Sequence, residues 1–163
     1  MLRAGRQVLH DPLVATVIHR IGDALSAPES PALFAHVVKD TGAWGAGFSG
    51  QLGRRFPIAE VSYRAWSRGK WGAEIEGESP IPTFALGGAL VVSAGGDCWV
   101  AHLCAQRGVG AAERRLDYIA LGCCLITLEE ALPRFSKRPT VVMPRIGCGL
   151  AGGDWAVVQP LLE

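Results

Sequence analysis

The chain lacks most of the features that would place it quickly. Charge of one sign is missing, since sixteen Lys and Arg meet fifteen Asp and Glu for a formal net charge of +1. A strong grip on duplex DNA or anionic lipid needs clustered positive charge, so neither is expected as a general partner. The pairs Arg54–Arg55 and Arg114–Arg115 read as solvated helix faces. Cysteine pairs with CxxC spacing are absent among Cys98, Cys104, Cys123, Cys124 and Cys148, which argues against a zinc site and a disulfide framework. Long apolar runs are absent too, so no membrane partner is expected. Arg3, Arg6, His10 and Asp11 interrupt the stretch where a signal peptide would carry its apolar centre. A soluble, cytoplasmic chain with reduced thiols and no metal or cofactor is the expectation.

What is there suits one compact domain. The 163 residues are 49% hydrophobic and 19% charged, enough for a real core and too few for two domains. Residues 1–163 read as a single unit, with 1–13 a leader that carries no clear pattern. Residues 14–18 are rich in β-branched side chains and predict a strand ended by Gly22-Asp23. The apolar run 33–38 predicts a buried strand. Residues 48–56 and 58–71 predict two helices, with Pro57 at the start of the second. A polar loop over 74–82 follows. The strands 89–93 and 98–104 form a hairpin around Gly95-Gly96-Asp97. Residues 111–132 are a long helix closed by Pro133, 140–143 a short strand, and 155–162 a final helix. Alternating β and α elements with one hairpin predict a three-layer α/β/α fold with a mixed central sheet.

Two glycine-rich passages carry the chemistry. In PRIGCGLAGGDW, residues 144–155, four glycines lie between a buried strand and a helix that Asp154 is placed to cap. Glycine permits positive φ and removes side chains that would block a ligand, so successive N–H groups can cradle an anion. DTGAWGAGF, residues 40–48, has the same strand–loop–helix form. Two such loops at the ends of two strands can grip a diphosphate from both sides. No Gly-Lys-Ser/Thr follows either, which argues against a Walker-type triphosphatase.

These passages, together with the upstream Ile21-Gly22-Asp23, resemble the macro domain from about residue 14 to the C-terminus. The resemblance points to the branch with ADP-ribose 1″-phosphate-processing proteins and terminal ADP-ribose glycohydrolases. It implies ADP-ribose, free or on a protein or nucleic acid, as ligand. By position, Asp23 with Ala24 corresponds to the acidic site that accepts the adenine amino group. Gly45, Ala46, Gly47 and Phe48 correspond to the first diphosphate and distal-ribose loop, and Ile146, Gly147, Cys148, Gly149 and Leu150 to the second. Backbone groups bind in both, so the Cys148 thiol has no implied chemistry. Trp44 and Trp155 are the candidate stacking rings, although rings so placed more often serve core or loop packing than a ligand. Lys39 stands where the family often has asparagine.

For catalysis the resemblance implies a lysine before the long helix and an acid after the second loop. This chain has Gln106 and Ala151 there, which removes that covalent route. Asp40 is then the candidate general base, and Asp154 a second candidate whose alternative is helix capping. His102, on one strand face with Cys104 and Gln106, and His36 within an apolar strand are expected to be structural. The expectation is a monomeric ADP-ribosyl hydrolase acting on a nucleic-acid or protein adduct or on ADP-ribose 1″-phosphate. The alternative is a non-catalytic ADP-ribose reader. The preference for the enzyme rests on a stand-alone domain having little use as a reader.

Overall fold

The computed structural model describes residues 16–26, 30–70, 81–108 and 115–163. Its centre is β1, Ala32–Lys39, whose sequence ALFAHVVK has no solvent-facing alternation. Continuous apolar character of this kind marks a strand covered on both faces. β1 pairs in parallel with β3, Cys98–Gln106, on one side and with β4, Thr140–Val142, on the other. β2, Ala89–Gly95, is the antiparallel hairpin partner of β3, so the sheet order is β2-β3-β1-β4.

Strand alternation sorts the side chains into two cores. Phe34, Val38, Val100 and Cys104 pack on Leu52 of α1, Gly47–Arg55, and on Tyr63 and Trp66 of α2, Pro57–Ser67. Leu33, Ala35, Ala101 and Leu103 pack on Leu121, Cys124 and Leu128 of α3, Tyr118–Ala131, and on Val158 of α4, Trp155–Leu162. The result is the three-layer α/β/α arrangement with a mixed sheet that the element order implied. Pro57 opens α2, where its missing N–H costs nothing. A short 3-10 turn, Leu132–Arg134, closes α3.

Three expectations need correction or limits. Residues 16–18 form no strand, and Ile18 and Ile21 are exposed. β-branched residues favour a strand only where a partner edge and a buried face receive them, and neither meets this segment. The long helix begins at Tyr118, because Asp117 is extended and its carboxylate accepts from the Ala120 N–H at 2.9 Å, capping the helix there. The second helix ends at Ser67. The leader, most of the 74–82 loop and positions 109–114 lie outside the described residues.

Candidate functional site

β1 and β3 both end at one cleft. Lys39 and Gln106, their last residues, form part of its wall together with Tyr63 of α2. The cleft encloses about 460 Å³ and is bounded by the two glycine-rich loops. That volume suits a nucleotide-sized ligand. Placement at the carboxyl ends of parallel strands follows from topology, since both loops must leave the sheet at that edge.

The first loop delivers the start of α1. Ala46, its N-cap, makes no side-chain cap bond, and Gly47 has φ +61°. The leading N–H groups of a helix have no intrahelical partner. Here Ala46, Gly47, Phe48 and Ser49 line the cleft, so this positive end of the helix dipole opens onto the site.

The second loop is held from behind. The Gly153 N–H donates to Gly147 O at 2.9 Å, and Gly152 N–H to Gly149 O at 2.9 Å. Leu116 fills the space beneath: a β-carbon on Gly147 would meet its Cδ2 at 2.6 Å. Ala151 O accepts from the N–H groups of Arg115 and Leu116. The helix after this loop differs from α1, because the Asp154 carboxylate accepts from Ala156 N–H at 2.9 Å and caps α4. Dipole support for an anion therefore comes from α1 and not from α4.

Both loops also carry G-x-G-x-x-G spacing, at Gly45-Gly47-Gly50 and Gly147-Gly149-Gly152. Glycine spacing alone would not separate them from a dinucleotide fingerprint. Strand order does, since the strand after α1 and α2 enters an antiparallel hairpin at the sheet edge instead of pairing parallel beside β1.

The wall gathers Lys39, Trp44, Gly45, Ala46, Gly47, Phe48, Gln106, Ile146, Gly147, Gly149 and Leu150 of the expected site. Six other candidate residues are not part of it. Asp23 folds back, its Oδ1 accepting from Leu25 N–H at 2.9 Å, and neighbouring Ala24 lies outside with it. Asp40 accepts from Gly108 N–H at 2.7 Å through Oδ1, and its own N–H donates to Gln106 O. Asp154 is the α4 cap. Cys148 turns its thiol to Ile146 O, and burial raises its pKa, so it is no thiolate nucleophile. Of the two tryptophans, Trp44 lies in the wall and packs against His36 and Tyr63 with ring centroids 5.5 Å away. Trp155 is outside, beneath the Arg145 guanidinium at 5.6 Å.

Several wall residues carried no sequence signal. Arg115 and Arg145 line the cleft with Lys39, giving three cations around one space in a chain of near-zero net charge. By sequence alone Arg115 reads as part of a solvated pair with Arg114. Among the described residues, no Asp or Glu lines the cleft. Tyr63 Oη donates to Lys39 O at 2.7 Å, tying α2 to the end of β1, and burial pushes its pKa up. His36 and His102 are buried, as expected of structural rings, yet His36 also touches the cleft. Burial holds His36 down to about 3 and His102 well below its ordinary value, so both are neutral rings at pH 7.

No family model matches the chain. Over 47 residues it is 36% identical to an uncharacterized 17.5 kDa protein of Enterobacteria phage T4, a match that spans 30% of that protein. Thermosipho africanus DarTG, solved in complex with ADP-ribose, shares the fold at TM-score 0.59 and 18% identity. That alignment covers 80% of this chain and 33% of DarTG. A macrodomain protein from Streptomyces coelicolor superposes at TM-score 0.67 with 33% identity, covering 86% of this chain and 84% of that one. Identity at this level across most of both chains, on the same mixed-sheet architecture, is more than a shared fold: the chain belongs to the macrodomain family.

Proposed function

We propose that the cleft binds ADP-ribose, either free or as the exposed group of an ADP-ribosylated protein or nucleic acid. One observation carries this reading. The uncapped N-terminus of α1 faces the 147–150 loop across a cleft that Lys39, Arg115 and Arg145 also line. Helix N–H donors and cations together favour a multiply charged anion, and a diphosphate can span two loops. DarTG, which shares the fold, was solved with ADP-ribose. Titration calorimetry tests the reading: ADP-ribose is expected to bind far more tightly than AMP, and no detectable ADP-ribose binding overturns it.

The second reading is hydrolysis of an ADP-ribosyl adduct or of ADP-ribose 1″-phosphate. What favours plain binding is that no carboxylate lines the cleft among the described residues, with Asp40 outside the wall and bonded to Gly108. Hydrolysis without a wall carboxylate would need water activated by the ligand's own diphosphate, or by Asp40 after a change of partner. Wild type and Asp40→Ala incubated with ADP-ribosylated DNA, ADP-ribosylated protein and ADP-ribose 1″-phosphate separate the cases. Turnover of none leaves the binder. Turnover lost in Asp40→Ala assigns that residue as the base.

A further inference from the structure

Four side chains form one unbranched line of hydrogen bonds behind the cleft. Ser49 Oγ lies 2.9 Å from His36 Nδ1, and His36 Nε2 lies 2.7 Å from His102 Nδ1. His102 Nε2 is 2.8 Å from Ser62 Oγ, and Ser62 donates to the Ala59 carbonyl at 3.1 Å. His36, His102 and Ser62 are buried, whereas Ser49 is half-buried and lines the cleft.

A neutral imidazole has one N–H and one bare nitrogen, so the line can run in only two directions. If Ser62 gave its proton to His102, its oxygen would face the Ala59 oxygen with no proton between them. The opposite direction places a proton in every contact. His102 Nε2–H then donates to Ser62, His36 Nε2–H donates to His102, and the Ser49 hydroxyl donates to His36. Ser49 has spent its single proton inward and shows the cleft lone pairs alone.

A serine beside a histidine in a cleft also invites comparison with an activated nucleophile. Here the partners of the two rings are each other and two serines, with no carboxylate to stabilise an imidazolium. The line ends on a helix carbonyl, which takes no proton onward. It fixes a hydroxyl in place and does not ionise it.

We propose that Ser49 is an acceptor-only contact that selects a hydroxyl of the ligand, and that His36, His102 and Ser62 are positioning residues that hold it in that state. The proposal rests on the cleft being an ADP-ribose site, whose ribose hydroxyls are the donors. In a wall of N–H groups and cations suited to phosphate, one acceptor-only oxygen repels phosphate oxygens and welcomes sugar. It therefore sets which part of the ligand lies against α1.

The direction of the line is read on the unliganded wild type from the side-chain nitrogen resonances of ¹⁵N-labelled protein. Both rings are expected as Nε2–H tautomers with bare Nδ1; an Nδ1–H tautomer at either ring overturns the proposal. Selection is read by titrating wild type and Ser49→Ala with ADP-ribose and with pyrophosphate, which has phosphate oxygens and no hydroxyl group of a sugar. Ser49→Ala is expected to lose about tenfold in ADP-ribose affinity and to keep its pyrophosphate response. An equal fall for both makes Ser49 a support of the loop, and an unchanged ADP-ribose affinity removes the contact; either overturns the proposal. Wild type that binds no ADP-ribose sinks the functional reading itself, while the tautomers still decide the direction of the line.

Discussion

Leu150 and Gly47 face each other across the cleft: a β-carbon on Gly47 would stand 3.8 Å from Leu150 Cδ1. The two glycine loops are thus within one side chain of closing on each other. Leu150 is 80% exposed and forms an apolar lip on the second loop, while Gly47 holds φ +61° at the mouth of α1. A branched side chain at Gly47 would both occupy the gap and force a left-handed backbone that it resists, at a cost on the order of 1–3 kcal/mol. Gly47→Val is expected to lower the urea midpoint and to abolish ADP-ribose binding by calorimetry. Unchanged binding would mean that the ligand does not pass between these loops.

Gly149 and Gly153 sit four residues apart and should fail in opposite ways. A β-carbon on Gly149 meets nothing within 4 Å, and its position lines the cleft. One on Gly153 would meet Leu116 Cδ2 at 2.5 Å and Gly147 O at 2.7 Å, opening the bond that closes the loop. Gly149→Glu is expected to melt like wild type and to bind no ADP-ribose, because bulk and negative charge enter a diphosphate site. Gly153→Ala is expected to lose about 1–3 kcal/mol of stability in urea unfolding, as overpacking does. Equal stability losses in the two variants would contradict the placement of the loop against Leu116.

These contrasts show what the sequence carried and what it did not. β1 was legible because ALFAHVVK is apolar on both strand faces, and the β2–β3 hairpin because Gly95 and Gly96 separate two such runs. The segment at 14–18 has equal β-propensity, yet its described residues 16–18 pair with no edge, and propensity does not report partners. Periodicity overran the start of α3 because apolar spacing ignores a cap, although Asp117, a favoured N-cap residue directly before an apolar run, was the available signal. In the site, glycine loops were legible because their backbone conformation demands a residue type. Arg115 was not, since a cation looks the same on a solvated face and on a cleft wall. Ser49 and His36 meet only because the chain reverses from β1 into α1; two histidines on one face of adjacent strands were the remaining clue.

The three cations make a prediction about salt. Lys39, Arg115 and Arg145 line the same cleft, and their attraction for a diphosphate is partly screened by ions. Lys39→Ala and Arg145→Ala are each expected to weaken ADP-ribose binding by about tenfold at low salt. Each should also flatten the fall of affinity between 50 and 500 mM salt, about what losing one cation–phosphate contact produces. A parallel drop at every salt concentration would assign these side chains to loop packing instead.

Acid should expose the histidine line. Burial holds His36 down to about 3 and His102 well below 6.5, whereas in the unfolded chain both rings titrate near 6.5. The native state therefore refuses protons that the unfolded state accepts as pH falls below that value. Stability is fully present above 6.5 and is lost progressively as pH drops toward the folded value of about 3. Each ring is expected to cost about 2 kcal/mol by pH 5, so urea midpoints should be nearly flat above pH 6.5 and fall steadily from there to pH 5. His102→Gln removes one of the two titrating rings, and its midpoint should fall about half as steeply over the same range. A profile in wild type as flat as that of a protein without buried histidines would mean that solvent reaches the rings. In that case the hydrogen-bonded line from Ser49 to Ser62 is not closed in solution.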